Sequence, residues 1–258
     1  MRTLKLTVQY LGTRYQGWQV QPNRRTVQGR LEQALGKFLS EPIRIVGAGR
    51  TDSGVHARGQ VASFTTVSGI PLRGILLGVN TLLPADIRII RVEEAPPGFH
   101  ARHDAVSKDY AYRFSTATVL SPFLAQTVHA VRGSLEIPRM VEAASHFLGE
   151  QDLSAFCGPE GRRKYTRRVV TVSQLIAEPE GVWAYQVSAS GFLQYLVRTI
   201  VGTLFEVGRG KLDPAAIPAI LASKDRRRAG PTASPVGLTL ERVQYPVVTA
   251  ILATPEGV

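Results

Sequence analysis

Apolar and polar residues alternate at the start of the chain with the two-residue period of a half-buried strand; the apolar members are Leu4, Leu6, Val8 and Tyr10. After Thr26, a residue type that caps helices, apolar residues recur at helical spacing up to Leu39. The pattern then predicts a strand at 43–46, a strand at 61–66, a helix after Pro71 and a strand at 87–92. This half therefore has the order of a split βαβ, or ferredoxin-like, unit.

The second half of the chain repeats that order. Tyr110, Tyr112 and Phe114 share one face of a predicted strand, and a helix is expected to begin near Pro138. The later elements are a hairpin of strands at 169–177 and 182–189, an amphipathic helix from Leu193 to Phe205, a short helix at 214–222 and a strand at 238–243. The pattern predicts two α+β units, residues 1–102 and 103–246, followed by a tail at 247–258.

Length and composition limit the class of protein. A chain of 258 residues fits one large domain or two smaller ones. The single cysteine, Cys157, excludes an intramolecular disulfide framework and favours a cytoplasmic location. The N-terminus does not read as a signal peptide, and the most apolar stretch, 192–207, is too short and too polar to span a bilayer. Because no Cys and His cluster with metal-ligand spacing appears, we expect no metal.

The formal net charge of +11 indicates a polyanionic partner, which charge alone cannot divide into nucleic acid or an anionic membrane surface. Two basic clusters lie in the second half: Arg162, Arg163 and Lys164, with Tyr165 beside them, and Arg226, Arg227 and Arg228. One such cluster is commonly a solvated face, but two of them favour contact with an RNA or DNA backbone. The aromatic and basic loop at 12–19 either stacks on bases or turns Trp18 into the core.

The stretch at 47–60 holds four glycines and places Asp52 between Arg50 and Arg58. Glycines let another molecule approach the backbone closely, so Asp52 is a candidate chemical centre. Two alternatives stay open. The loop could cradle a phosphate, although it lacks the Lys-Ser/Thr ending of a P-loop. It could also be a plain turn, in which Asp52 only accepts backbone hydrogen bonds.

These motifs together resemble a known family. Residues 49–57, Gly-Arg-Thr-Asp-Ser-Gly-Val-His-Ala, followed by Gly-Gln-Val at 59–61, are similar to the signature of the tRNA pseudouridine synthase A family. Further stretches follow in the family's order: Phe-His-Ala-Arg at 99–102, Lys-Asp-Tyr-Ala-Tyr at 108–112, Gly-Phe-Leu at 191–193 with Val-Arg at 197–198, and Ala-Gly-Pro-Thr-Ala at 229–233. The resemblance covers nearly the whole chain.

The resemblance implies an isomerase that converts uridine to pseudouridine in tRNA, at positions 38 to 40 of the anticodon stem-loop, without cofactor or metal. It implies two pseudo-symmetric ferredoxin-like units that share one mixed, mainly antiparallel sheet. It also implies a homodimer whose basic clefts hold the tRNA. The alternative from a different class is a non-catalytic RNA-binding protein on the same scaffold. A nucleotide-binding enzyme remains only if the glycine loop cradles phosphate.

The resemblance assigns roles to three residues that are far apart in sequence. Asp52 is the expected nucleophile, and an ionised carboxylate in a dry site needs a nearby cation. Arg198 is the expected cation, although at the edge of an apolar helix face it could instead extend to solvent. Tyr110 is expected to stack on the uracil and to assist removal of the C5 proton, whereas alternation alone allows Tyr110 to face the core with Tyr112.

The remaining predicted contacts are with substrate. Arg50 is expected to contact phosphate or to fill the space left by an extracted base, with a structural ion pair as the alternative. His56 and Arg58 are expected to shape the loop or to contact the RNA backbone. The two basic clusters, Arg162, Arg163 and Lys164 and Arg226, Arg227 and Arg228, are expected to bind the tRNA backbone.

Overall fold

The first half of the chain follows the predicted order. The structure is a computed structural model that describes residues 1–159, 161 and 165–246. Its first elements are β1 (Arg2–Tyr10), α1 (Val27–Leu39), β2 (Val46–Gly47), β3 (His56–Thr66), α2 (Leu72–Leu82) and β4 (Ile87–Ala95). The strand predicted at 43–46 is wrong in extent, because the Ile45 N–H donates to the Glu32 carboxylate at 3.0 Å rather than to a neighbouring strand.

The second half also keeps its predicted order, with two short strands added. Its elements are β5 (Ser107–Ser115), β6 (His129–Ala130), α3 (Ile137–Ser145), β7 (Gly149–Asp152), β8 (Arg167–Glu178), β9 (Val182–Ala189), α4 (Leu196–Gly208), α5 (Ile217–Ser223) and β10 (Leu238–Gln244). The predicted hairpin is confirmed as β8 and β9. Helix α4 begins three residues later than predicted, because Tyr195 adopts a left-handed φ of 62° before it. The tail at 247–258 lies outside the described residues.

The strands form one sheet in the order β4-β1-β3-β10-β5-β9-β8-β7, with β2 paired to β3 and β6 to β5. Numbered within each half, the four main strands have the order 4-1-3-2 in both: β4-β1-β3-β2 and β10-β5-β9-β8. This repetition confirms the predicted α+β fold of two pseudo-symmetric ferredoxin-like units. The halves are joined where β10 runs parallel to β3, at the pairs Thr239 with His56 and Leu240 with Ala57.

Helix α4 covers the face of β5 on which Tyr110, Tyr112 and Phe114 lie. Phe205 of α4 packs edge-on against Phe114, with ring centroids 5.1 Å apart. Tyr112 lies 6.1 Å from the same ring. No helix in the described part of the chain is long and apolar enough to cross a membrane.

Candidate active site

The loop at 48–55, between β2 and β3, is held by backbone hydrogen bonds from the loop at 15–18. The Trp18 N–H donates to the Thr51 carbonyl at 3.1 Å, and the Gly54 N–H donates to the Tyr15 carbonyl at 3.2 Å. Gly17 has a φ of 83°, and a Cβ there would lie 2.6 Å from the Thr51 oxygen, so only glycine fits. The backbone on either side of Asp52 is therefore fixed before any ligand binds.

The aromatic residues of the 12–19 loop belong to the core and do not form an exposed stacking surface. Tyr15 is 2% exposed and Trp18 is 1% exposed. A Cβ at Gly47 would lie 2.5 Å from the Trp18 Nε1 atom, which shows how closely the indole lies on β2. Of the two alternatives for Trp18, the structure supports the one in which it closes the core.

Asp52 and Arg198, which are 146 residues apart in sequence, form an ion pair. The Arg198 Nη1 atom lies 3.0 Å from the Asp52 Oδ2 atom, with side chains 14% and 23% exposed. The Arg198 Nε–H donates to the Ala233 carbonyl at 2.8 Å, and the Ala233 N–H donates to the Arg198 carbonyl at 3.0 Å. Arg198 therefore does not extend to solvent; it is fixed in the first turn of α4 and directed at the carboxylate.

Burial and the ion pair act on the Asp52 carboxyl in opposite directions. Burial is the larger effect and raises the pKa of Asp52, whereas the hydrogen bond and the positive charge of Arg198 lower it. The net pKa lies above the ordinary value. The guanidinium is therefore the group that favours the ionised form of Asp52.

Tyr110 lies on the same face of β5 as Tyr112 but has a different environment. Its ring is 7% exposed and meets the Phe192 ring edge-on at 4.7 Å. Burial is the main effect that raises the pKa of the Tyr110 phenol, with smaller contributions from Tyr10 and Asp52, so the phenol is protonated at neutral pH. Tyr112 is fully buried and donates its hydroxyl to the Ser234 carbonyl at 2.8 Å. Both rings are buried in the core on one face of the sheet, so the contact of Tyr110 with substrate stays a prediction.

Three other predicted residues surround the loop without a hydrogen bond or ion pair to Asp52. The exposed Arg50 donates from Nε to the Gln19 side chain at 3.0 Å. His56 is 2% exposed, and its ring nitrogens lie 3.1 Å from the Gly12 nitrogen and 3.1 Å from the Val236 carbonyl oxygen. Arg58 lies 3.9 Å from Glu241. His56 therefore links the backbone at Gly12 to the backbone at Val236 through hydrogen bonds. Its contact with substrate stays a prediction.

The two basic clusters differ in what the structure describes. Arg162, Arg163 and Lys164 lie outside the described residues. Arg227 pairs with Asp225 at 2.7 Å, and the Arg226 Nη2 atom donates to the Thr232 hydroxyl at 3.2 Å.

Thr232 in turn lies 3.3 Å from the hydroxyl of Thr199, the residue that follows Arg198 in α4. The cluster of Arg226, Arg227 and Arg228 is therefore connected to the first turn of the helix that carries Arg198.

Sequence reasoning did not identify two residues that shape the site, Phe192 and Ala233. Phe192 forms a wall beside Tyr110, and Ala233 supplies the carbonyl that orients Arg198. Phe192 carries a signal, since it is an aromatic residue that directly follows Gly191 ahead of the arginine helix. Ala233 ends the Ala-Gly-Pro-Thr-Ala stretch at 229–233, but its side chain gives no sign of its role, because it acts through its backbone.

Comparison with known proteins identifies the family of this chain. A family model described as tRNA pseudouridine synthase matches residues 6–104 and 143–246. A tRNA pseudouridine synthase A of Geotalea uraniireducens is 47% identical over 246 residues, covering 95% of this chain and 100% of the relative. Proteins of the same name from Geobacter sulfurreducens and Geotalea daltonii are 43% and 45% identical, with 95% of this chain and 100% of each relative covered. The chain therefore belongs to the tRNA pseudouridine synthase family, and it is an enzyme of the isomerase class.

Proposed function

We propose that the protein converts uridine to pseudouridine in tRNA, at positions 38 to 40 of the anticodon stem-loop, with Asp52 as the nucleophile. The observation that carries this proposal is the ion pair between Asp52 and Arg198 at 3.0 Å, which joins the two halves of the chain. A turn aspartate with a purely structural role accepts backbone hydrogen bonds. A half-buried carboxylate that faces a fixed guanidinium is instead equipped for chemistry.

The reaction rearranges bonds without adding or removing atoms. The N1–C1′ bond breaks, the uracil turns, C5 joins C1′, and the proton lost from C5 is balanced by one gained at N1. A carboxylate can divide the first bond cleavage into easier steps. Three starting points are consistent with Asp52: attack on C1′, attack on C6, or removal of the 2′ proton. All three need the ionised carboxylate close to the sugar or the base.

Arg198 supports this chemistry by favouring the ionised form of Asp52. Without the guanidinium, burial alone would act on the pKa of the carboxyl and hold it protonated to higher pH. The Ala233 carbonyl orients the Nε side of Arg198, so the Nη1 side is directed at Asp52. Arg198 is therefore proposed as the charge partner that allows Asp52 to act at neutral pH.

Tyr110 is proposed to stack on the extracted uracil. Its ring is held edge-on against Phe192, with centroids 4.7 Å apart, and an aromatic ring fixed in this way offers a flat face on which a base can stack. Because burial raises the pKa of its phenol, Tyr110 can accept the C5 proton only if its own proton leaves at the same time. Stacking is accordingly its main role, and proton relay an accompanying one.

The proposal includes base flipping because the carboxylate is largely buried. Asp52 is 23% exposed, so a nucleoside inside a stacked helix cannot bring its sugar against it. The exposed Arg50, two residues away, is proposed to fill the gap that the extracted base leaves or to contact phosphate.

The net charge of +11 supports tRNA as the polyanion. The resemblance further leads us to propose a cytoplasmic homodimer, which analytical ultracentrifugation of the full chain would test for self-association.

The test is release of tritium from tRNA that carries 5-tritiated uridine. We expect wild-type protein to release tritium and to place pseudouridine at positions 38 to 40. Asp52→Ala should abolish release while tRNA binding stays near the wild-type value. Asp213→Asn, which changes an exposed aspartate that caps a turn, is the matched control and should release tritium normally. Release by Asp52→Ala would refute the nucleophile assignment, and wild-type binding without release would favour the non-catalytic RNA-binding alternative.

A further inference from the structure

A group of three positive side chains lies beside the site and has no role in the chemistry described above. Lys108 stands two residues before Tyr110 on β5, so its side chain is on the same face of the sheet. Arg102 and Arg168 are the charges that act on it most directly. Burial lowers the pKa of the Lys108 ammonium, and the two guanidinium groups lower it further. The charges that act on Lys108 are therefore positive, and their repulsion of its ammonium is unfavourable.

No carboxylate of the described residues offsets this charge. Lys108 forms no ion pair and no hydrogen bond with another described side chain. Its neighbour Asp109 lies on the opposite face of β5, where it accepts from Ser188 at 2.7 Å and from Arg242 at 3.0 Å. A partly buried ammonium that repels its neighbours and lacks a counter-ion is costly, and an anionic ligand would remove that cost.

The cluster borders the proposed reaction site through two glycines. A Cβ at Gly49, three residues before Asp52, would lie 3.3 Å from the Lys108 Cε atom and 4.0 Å from its Nζ atom. A Cβ at Gly191 would lie 3.1 Å from the Arg168 Nε atom. The residue after Gly191 is Phe192, whose ring contacts Tyr110. Lys108 thus lies against the Asp52 loop, and Arg168 lies against the segment that carries Phe192.

We propose that Lys108, with Arg102 and Arg168, binds a phosphodiester group of the RNA strand next to the target nucleoside and so positions that nucleoside over Asp52. This assignment rests on the proposed function, because a polynucleotide substrate brings a phosphate of fixed spacing with every nucleoside. Lys108 acts as a point charge from a strand of the central sheet, so it sets the depth to which the strand enters the site. It is a positioning residue and takes no part in bond breaking.

The first experiment measures RNA binding in the Asp52→Ala background, which separates the phosphate site from catalysis. Adding Lys108→Gln should weaken binding of the stem-loop by about tenfold. It should also reduce the slope of log K against log salt by about 1. Lys108→Arg should restore most of the affinity. Lys211→Gln is the matched control, because the Lys211 ammonium already pairs with Glu206 at 3.7 Å, and it should change neither quantity.

The second experiment identifies the phosphate. In synthetic stem-loops, one of the two linkages that flank the target uridine is replaced by a neutral methylphosphonate. At the linkage that the cluster binds, Asp52→Ala protein should lose about tenfold in affinity, and Lys108→Gln should cause no further loss there. Additive losses at both linkages, or no loss at either linkage with Lys108 intact, would overturn the proposal. The second of these outcomes needs no Lys108 variant, so it applies even if Lys108→Gln does not fold.

A thermal unfolding curve distinguishes positioning from a structural role. Removing one of three mutually repelling cations should leave the melting temperature of Lys108→Gln equal to or above that of the wild type. A lower melting temperature together with an unchanged salt slope would mean that Lys108 supports the sheet and binds no phosphate. If wild-type protein forms no pseudouridine but the methylphosphonate result holds, the proposed function fails and the phosphate site stands.

Discussion

At the scale of single residues, the site depends on a carboxyl whose environment opposes its ionisation. Burial raises the pKa of Asp52, and Arg198 is the cation that lowers it. The guanidinium is held in place by the Ala233 carbonyl at 2.8 Å, so its charge cannot move away to solvent. The pH at which Asp52 becomes active is therefore a property of the pair.

Replacing Arg198 by Gln should shift the acid limb of the pH profile of kcat/KM to higher pH. The active form is the carboxylate, and its folded-state pKa already lies above the ordinary value, so activity falls as pH drops through that raised pKa. Without the guanidinium, nothing opposes the effect of burial on the pKa of Asp52, so the acid limb moves to still higher pH. We also expect kcat/KM at neutral pH to fall by about 100-fold. Single-turnover tritium release between pH 5 and pH 9 would measure both changes.

The control is Arg209→Gln, which removes a guanidinium from the other end of the same helix. Arg209 pairs with Glu206 at 3.0 Å. The Arg209→Gln variant should therefore have the wild-type pH profile of kcat/KM. An acid limb that stays in place in Arg198→Gln would show that Arg198 does not govern the ionisation of Asp52.

At the scale of elements, the position of Arg198 depends on how closely α4 approaches the segment at 229–233. A Cβ at Gly202 of α4 would lie 1.7 Å from the Pro231 carbonyl oxygen, and a Cβ at Gly230 would lie 2.7 Å from the Thr203 Cα atom. Backbone therefore meets backbone here with no side chain between. The same segment carries the Ala233 carbonyl, which accepts from Arg198. The direction of the Arg198 side chain therefore depends on how α4 packs against this segment.

Gly202→Ala should lower both stability and activity. The added methyl overlaps a backbone oxygen that cannot rotate away, so the segment must move and take the Ala233 carbonyl with it. We expect a loss of about 1–3 kcal/mol in the free energy of unfolding, and a lower kcat. Urea unfolding and tritium release would measure the two effects.

Gly74→Ala in α2 makes the same chemical change where the nearest atom is the end of the Ile70 side chain, at 3.1 Å. That variant should be neutral or more stable by up to about 1 kcal/mol, because alanine favours a helix. If Gly202→Ala behaves like Gly74→Ala, the close approach of α4 to the 229–233 segment is not what orients Arg198.

At the scale of the whole molecule, the parallel pairing of β3 with β10 joins the two halves into one sheet. His56 reinforces the junction, because its ring nitrogens lie 3.1 Å from the Gly12 nitrogen and 3.1 Å from the Val236 carbonyl oxygen. The net charge is divided unequally along the sequence, at +8 for residues 1–102 and +3 for residues 103–258. Contact with a long polyanion is therefore expected to involve both halves.

Replacing Arg226, Arg227 and Arg228 together by Ala should weaken tRNA binding and flatten its salt dependence. Each phosphate contact that is lost reduces the slope of log K against log salt by about 0.7–0.9. Because Arg227 is already paired with Asp225 at 2.7 Å, we expect a total reduction of about 1–2. Filter binding across a range of potassium chloride concentrations would measure it.

The matched control is Arg44→Ala combined with Arg91→Ala, since these guanidinium groups pair with Glu32 at 3.0 Å and with Glu93 at 3.2 Å. This double variant should keep the wild-type slope. An unchanged slope in the triple variant would show that the cluster at 226–228 faces solvent.

Local sequence determined much of this protein, because strand and helix periods are set by neighbouring residues. The alternation at the start of β1, the hairpin of β8 and β9 and the repeated order of the two halves were all predictable, as was the candidate status of Asp52. The prediction of a strand at 43–46 was wrong in extent, because the Ile45 N–H donates to the carboxylate of Glu32, which lies 13 residues earlier in the sequence. Trp18 was undecided because an aromatic residue beside arginine has the same local pattern whether it is exposed or buried.

Only the tertiary structure decided which residues share the site. Asp52 and Arg198 lie 146 positions apart, and their 3.0 Å contact exists because the sheet joins the two halves and places the first turn of α4 beside the loop before β3. The same holds for Lys108, which forms no ion pair with any carboxylate in the part of the chain that the structure describes, although Asp109 follows it in sequence. A sequence specifies which charges exist, but the distance and burial that set their energies come from the fold.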